Sequence, residues 1–424
     1  MYFSIKDLKL QLIYNFGIYV TQMVLKGISI FNHKIKLGVT GRIDTFSILE
    51  SNISETDKTL WFHCASLGEY EQGLPVFKEL RKDYPDHKIV LSFFSPSGYE
   101  IRKNTVVADV VVYLPIDTKA NAKKFLDLVR PELTIFVKYD IWPNFLNELK
   151  KRQLKALLIS ALFRPNQMYF KFYGGFMKKV LFAFQHIFTQ DETSKNLLKS
   201  IGYHEVSVSG DTRFDRVYNQ LEQPNSLDFI EHFKGDNLCV VAGSTWPEDE
   251  VFFIDYINSL ENSNKVKFII APHNIKKTQI LKLKKAIDKK TILFSEKNIN
   301  TIFNYQVLIL DTIGLLSKVY SYANIAYVGG GAGKTGLHNT LEPAVFSVPI
   351  IIGKHYNRFP EAKEMIKNKG MFSIKNSKEL HQIFDNLINN SQLRKTSGKN
   401  NLNFIKKNRG AVIQIMSFIR TLRD

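Results

Sequence analysis

Cysteine is nearly missing from this chain: the 424 residues contain two, Cys64 and Cys239, far apart. That excludes a disulfide framework and a thiolate metal site, and it points to a reducing compartment. Zinc-finger spacing, an RNA-recognition signature, a basic helical fork, internal repeats and low-complexity tracts are absent as well. Nucleic acid is therefore the least supported partner. A long unbroken apolar run is also missing. Residues 8–31 come nearest, but Lys9, Gln11, Asn15, Gln22 and Lys26 interrupt them, and no small-residue cleavage site follows. This stretch reads as a helix lying in a membrane interface, with Tyr14, Phe16 and Tyr19 at headgroup depth and Lys34, Lys36 and Arg42 turned toward anionic lipid. A core helix of the first domain is the other reading.

Acidic residues are in short supply, 40 Asp and Glu against 58 Lys and Arg, which leaves a formal net charge of +18. Such a field attracts nucleic acid, an anionic leaflet or a phosphorylated substrate, although a coding bias toward lysine produces the same count. With 44% hydrophobic and 23% charged residues the chain is an ordinary folded protein, and its length suggests two domains.

Short apolar runs alternate with helical stretches of ten to fifteen residues. "TLWFHC", "KIVLSF", "DVVVY", "LTIFV", "KALLIS" and "HIFT" occupy the first half, and "LCVVAG", "VKFIIAP", "TILF", "VLIL", "IAYV" and "VPIIIG" the second. The pattern implies parallel sheets covered on both faces. A polar stretch around 205–220 divides two successive doubly wound α/β domains, and a final helix closes the chain.

Ligands of open parallel sheets bind beyond the carboxyl ends of the strands, so the loops there are the candidates for chemistry. "SLGE" follows the first strand. Gly68 permits a tight turn and Glu69 falls in the first helical turn, either as a general base for a sugar hydroxyl or as a carboxylate complementing the helix dipole. Ser244-Thr245 before Pro247 reads as a capped helix start able to hold an anion. His273 lies at another strand end. "YVGGGAGKTGLHNTLEPA" superimposes two familiar patterns. The P-loop fails because Val328 stands where its first glycine belongs, while Gly331, Gly333 and Gly336 meet G-x-G-x-x-G some three hundred residues too late in the chain for a first βαβ unit. A helix beginning near Thr335 would put Asn339 and Glu342 on one face, positioned for ribose hydroxyls.

Together, "FHCASLGEYEQGLPVFKELRKDYP", "IWPN", "GDTRFD", "GSTWPEDE", "DTIGLLSKVYSYANIAYVGGG", "GLHNTLEPA" and "VPIIIG" resemble the lipid A Kdo (3-deoxy-D-manno-octulosonic acid) transferases over residues 8–415. The resemblance implies a GT-B fold of two Rossmann-like domains facing a cleft, with an amino-terminal membrane-associating helix. It implies inverting transfer of Kdo from CMP-Kdo to the lipid A precursor, without a metal or other cofactor, at the cytoplasmic face of the inner membrane. The expected segments are the helix and lead-in at 1–35, an acceptor-side domain at 36–210 and a CMP-sugar domain at 211–424 that includes the closing helix. Carried over by position, Glu69 is the catalytic base, with Ser66, Gly68 and Asp140 on the acceptor side. Arg213, Ser244, Thr245, His273, Gly314, Gly329, Gly330, His338, Asn339 and Glu342 fall on the donor side. The chain departs from the family at Lys138-Tyr139-Asp140, where E-T-E is usual, at Pro272-His273-Asn274 for P-R-H, and at Leu315 for a glutamate; Arg213 replaces lysine. Lys334 is a candidate to supply lost positive charge. A GT-B enzyme using a UDP-sugar and a non-catalytic nucleotide-binding relative both share this architecture, and the number of Kdo units is left open.

Overall fold

In a computed structural model of the protein, residues 5–261 and 266–422 are described. Residues 1–4 of the expected amino-terminal segment, and 423–424 of the expected carboxyl-terminal domain, lie outside the described residues. The chain divides into two compact units, Met1–Arg216 with Arg409–Asp424, and Val217–Asn408.

The first unit is built on a sheet of β1 (Thr59–Cys64), β2 (Lys88–Phe93), β3 (Val110–Tyr113), β4 (Pro131–Val137), β5 (Lys155–Ala161), β6 (His186–Thr189) and β7 (Val206–Val208). The order is β3-β2-β1-β4-β5-β6-β7, and every pairing is parallel. Because crossover helices cover both faces, a central strand has no solvent side. All six residues of β1 are buried, which is why "TLWFHC" is apolar nearly throughout. The second unit repeats the plan with β8 (Leu238–Thr245), β9 (Val266–Pro272), β10 (Thr291–Leu293), β11 (Val307–Ile309), β12 (Ile325–Val328), β13 (Ile350–Gly353) and β14 (Met371–Ile374). Its order is β10-β11-β9-β8-β12-β13-β14, again parallel. The short edge strands β7 and β14 are absent from the sequence expectation.

Two boundaries differ from that expectation. The closing helix Ala411–Thr421 belongs to the first unit: Ile415, Met416 and Ile419 are buried in the core beneath β1, β2 and β4. Asp215 fixes its start by accepting from the amides of Gly410 at 2.8 Å and Ala411 at 3.1 Å. Arg213 likewise falls in the first unit, not in a domain beginning at 211.

The first helix, Ile5–Ile28, is no separate body either. Leu10 and Tyr14 pack on the core of the first unit, the Tyr14 hydroxyl donates to Asp117 at 2.6 Å, and Asn144 Nδ2 donates to Asn15 Oδ1 at 2.9 Å. Tyr14 therefore faces protein and not headgroups. Arg42 also turns inward, its guanidinium donating to the carbonyls of Leu114, Gly38 and Phe94. Leu12, Phe16, Tyr19 and Met23 form the opposite, exposed face of the helix. Among the described residues no helix is long and apolar enough to cross a membrane.

Asp117 joins these parts. It is fully buried and accepts from Tyr14 and from the amides of Asn144 and Phe145, both at 3.0 Å. Those amides belong to the first turn of the helix Pro143–Lys151, which makes no side-chain cap of its own. Burial pushes the Asp117 carboxyl up, and the three hydrogen bonds pull it back. Asp117→Ala leaves three donors without a partner, and we expect a loss of about 3 kcal/mol in unfolding free energy by urea titration. A loss under about 1 kcal/mol would show that solvent replaces the carboxylate.

Candidate active site

Strand order reverses between β1 and β4 in the first unit and between β8 and β12 in the second. At such a reversal the loops leaving neighbouring strands part in opposite directions and open a crevice at the carboxyl ends. Four of the loops that the sequence singles out leave these four strands, while His273, Gly314 and Arg213 follow β9, β11 and β7.

In the first unit, β1 runs into Ala65-Ser66 and the helix Leu67–Asp83. Glu69 lies in its first turn, 8% exposed. Ser66 Oγ donates to Glu69 Oε2, and Oε1 lies 3.9 Å from Lys138 Nζ. Lys138 is the first residue beyond β4 and adopts φ 70°, a left-handed conformation that a lysine enters only at a cost of about 1–2 kcal/mol. Its amide donates to Ile159 O at 2.8 Å, which holds the turn. The strained turn carries an ammonium toward the carboxylate.

Beneath this pair is a polar line that sequence reasoning missed. His63, fully buried on β1, contacts Ser92 Oγ through Nδ1 at 2.8 Å and Asp140 through Nε2. Trp61 Nε1 donates to Ser92 Oγ at 2.7 Å, and Trp142 Nε1 lies 3.0 Å from His63 Nε2. One ring nitrogen cannot both donate to Asp140 and accept from Trp142. The charge-assisted bond to the carboxylate dominates, so Nε2 carries hydrogen and Nδ1 accepts from Ser92. Asp140 is thereby tied down by a histidine rather than turned freely to solvent. The available sequence signal was a histidine inside a strand otherwise made of apolar residues.

In the second unit, Gly329 follows β12. A Cβ there would overlap the backbone of Ser244 and Thr245, so glycine is required for the two strand ends to approach. Gly330 has φ 89°, and a Cβ on it would strike Gly336 O. Asp249, fully buried, organises this loop: Oδ2 accepts from Gly330 N at 2.8 Å and Trp246 N at 2.9 Å, and Oδ1 from the Tyr327 hydroxyl at 2.7 Å. This residue too was missed, hidden within "PEDE".

Two local expectations change. The helix Pro247–Ser259 starts after Trp246, not at Ser244-Thr245, and Glu248, Asp249 and Glu250 fill its first turn. Three carboxylates already complement its dipole, which disfavours an anion there. Thr245 Oγ1 donates to Glu250 at 3.1 Å, and Ser244 adopts φ 54°. No helix begins at Thr335. Gly336, at φ 101°, keeps the segment irregular until the short helix Leu341–Ala344. Asn339 and Glu342 still meet, Nδ2 donating to Oε1 at 3.1 Å, while Asn339 Oδ1 accepts from Leu341 N at 3.1 Å.

Trp246, His273 and His338 stack: the rings of Trp246 and His273 are 4.7 Å apart at 23°, and those of His273 and His338 are 4.5 Å apart at 29°. Trp246 Nε1 donates to His338 Nε2 at 3.0 Å. The exposed His273 thus offers a flat aromatic face beside the Asn339–Glu342 pair, a combination suited to a planar base and sugar hydroxyls. Gly314, beyond β11, lies on an exposed turn with φ 90°, and nothing in the structure brings it to this stack. Lys334 is exposed on the glycine loop. Arg213 is held by Asp211, whose Oδ2 accepts from Nε at 2.8 Å. Among the described residues no group of three or more His, Cys, Asp or Glu is placed to hold a metal ion.

Burial, and next the neighbouring His273, lower the His338 pKa from 6.5 to about 4. Between those values the unfolded chain binds a proton at this position and the folded chain does not, so stability falls as pH is lowered through that window and levels off below it. Urea midpoints of the full chain measured across this range should decline less steeply for His338→Gln than for the wild type. Parallel declines would show that His338 does not contribute.

Residues 40–216 match the family model described as 3-Deoxy-D-manno-octulosonic-acid transferase (kdotransferase). The chain is 27% identical to the 3-deoxy-D-manno-octulosonic acid transferase of Haemophilus influenzae over 373 residues, 85% of this chain and 86% of that protein. It is 29% identical to the enzyme of the same name from Aquifex aeolicus over 332 residues, 76% of this chain and 83% of that one. Among solved structures, UDP-GlcNAc 2-epimerase from Neisseria meningitidis superimposes with a TM-score of 0.57 at 14% identity, covering 86% of this chain and all (100%) of that one. At that identity the likeness concerns fold alone.

Proposed function

We propose that this chain is a 3-deoxy-D-manno-octulosonic-acid transferase of the GT-B fold, the family whose model matches residues 40–216, and that it transfers Kdo from CMP-Kdo to the lipid A precursor, with inversion, in lipopolysaccharide biosynthesis. The observation that carries the residue assignment is Glu69: a nearly buried carboxylate at the carboxyl end of β1, beside the strand-order reversal, with one oxygen held by Ser66 and the other open to an incoming group. A hydroxyl of the glucosamine disaccharide donates to Oε1. As its oxygen bonds to the anomeric carbon of Kdo, the bond from that carbon to the CMP phosphate oxygen breaks; CMP leaves with the electron pair and the proton passes to Glu69. Ser66 keeps the carboxylate aimed, and Lys138 steadies its charge before the proton arrives.

In this reading the second unit holds the donor. The cytosine ring lies against His273 of the aromatic stack, and Asn339 and Glu342 bond sugar hydroxyls. No metal takes part. The enzyme acts at the cytoplasmic face of the inner membrane, held there by the exposed apolar face of the first helix and by the excess of basic residues.

Purified protein given CMP-Kdo and lipid IVA should release CMP and yield a heavier lipid, whose mass gives the number of Kdo units added. Glu69→Gln should lower turnover by about a thousandfold with little change in thermal stability. Turnover near the wild-type level would remove Glu69 from the role of base. CMP should raise the melting temperature where UDP does not, and the reverse would favour a UDP-sugar donor.

A further inference from the structure

On the first unit, the helices Lys119–Val129, Pro143–Lys151 and Gly175–Leu181 border a groove of about 1080 Å³ that the chemistry above does not use. Lys119, Lys123, Lys150, Lys151, Lys178 and Lys179 line it against one lining carboxylate, Glu148. That carboxylate is already engaged: Arg152 Nε donates to Oε1 at 2.9 Å, and Lys151 Nζ lies 3.9 Å from Oε2. Among the described residues Lys119, Lys123, Lys150 and Lys178 make no ion pair. Unpaired ammonium groups crowded around one groove repel one another, and an anion in it relieves that repulsion.

Exposed apolar side chains stand on two elements beside the groove. Gln11 brings the first helix to one edge, where Leu12, Ile13 and Phe16 are exposed. The second element is the loop leading into Gly175. There Phe172 is 96% exposed, with Met168 and Tyr173 also exposed beside it. This loop cannot fold its aromatic residues inward freely. Lys171 N donates to Met168 O at 3.1 Å, Gly174 N donates to Lys171 O at 2.9 Å, and any Cβ at 174 would overlap Met168 O. Tyr14 of the first helix meets Phe176 of the helix Gly175–Leu181 with ring centroids 5.7 Å apart, so the two elements are fastened to each other.

A cationic groove with exposed apolar side chains beside it matches a lipid interface, in which anionic phosphates lie next to the acyl boundary. We propose that this groove seats the phosphates of an anionic membrane leaflet while the first helix and the Phe172 loop beside it enter the interface. The proposal rests on the reading that the first helix lies on a membrane, and it assigns that membrane a second, separate contact on the same unit. Duplex nucleic acid, the other polyanion, does not require the exposed apolar side chains.

The test uses the full-length chain with vesicles of phosphatidylcholine, alone or mixed with phosphatidylglycerol, in a sedimentation assay. Lys150→Gln/Lys178→Gln should lower affinity for the mixed vesicles by about tenfold and leave the weak binding to pure phosphatidylcholine unchanged. Phe172→Ser should weaken binding to both by several-fold. Wild-type affinity in the lysine variant overturns the proposal, as does displacement of the vesicles by duplex DNA at equal phosphate concentration. Turnover on detergent-dispersed acceptor should survive in the lysine variant, and its loss would move these lysines into acceptor binding and overturn the membrane assignment. If the wild type itself fails to transfer Kdo, the reading of its activity falls while the vesicle comparison still decides the groove.

Discussion

Every strand of both sheets runs parallel to its neighbours, and that constraint governs the rest of the molecule. A parallel strand reaches its neighbour only through a crossover, so helices cover both faces and the central strands must be apolar on both sides. All carboxyl ends of one sheet then lie along one edge, and a crevice opens only where the strand order reverses. In the first unit that reversal collects Ser66, Glu69, Lys138 and Asp140; in the second it collects Ser244, Thr245, Trp246, Gly329 and His338. The strained residues stand directly at these reversals: Lys138 turns the chain away at the end of β4, and Ser244 is the irregular residue between Gly243 and Thr245 near the end of β8.

The carboxylates divide by what they accept. Asp117, Asp215 and Asp249 each take two or more backbone amides and close helix ends or loops that would otherwise leave donors unpaired. Glu69 differs: among the described residues its hydrogen-bond partner is the Ser66 hydroxyl, and no backbone amide claims it. A carboxylate whose lone pairs are occupied by amides has little room left for an incoming hydroxyl to donate to. Glu69, 8% exposed, keeps one oxygen free of amide donors. Position, burial and an unclaimed oxygen coincide at this residue and not at Asp117 or Asp249.

The interior strands were legible in the sequence because burial on both faces writes itself as an unbroken apolar run. The edge strands β7 and β14 were not, since "VSV" and "MFSI" each carry a serine and are only partly buried, whereas the edge strands β3 and β10 keep apolar runs in "VVVY" and "TIL". Glu69 was readable from its place after a strand and a glycine, whereas the line from Trp61 through Ser92 and His63 to Asp140 joins residues up to 79 positions apart and exists only once β1, β2 and the β4 loop are side by side. The final helix went to the wrong unit for a similar reason. Its apolar face is plain in "AVIQIMSFI", but nothing local says which core it fills; Asp215, nearly two hundred residues earlier, decides that by capping Gly410 and Ala411.

The glycine loop shows why local patterns mislead here. Its match to G-x-G-x-x-G and the "GKT" within it suggest amides free to receive phosphate, yet Gly330 N is already bonded to a carboxylate from the neighbouring helix. An anion arriving at that amide would meet the charge of Asp249 at once, with Glu248 and Glu250 in the same helical turn. The glycines serve the backbone instead: at 329 no Cβ fits beside Ser244 and Thr245, and at 330 and 336 the chain takes left-handed turns. Those turns deliver His338 to Trp246 and bring Asn339 against Glu342. The candidate groups are therefore the side chains that the loop positions, and the loop itself is held closed by the Asp249 carboxylate.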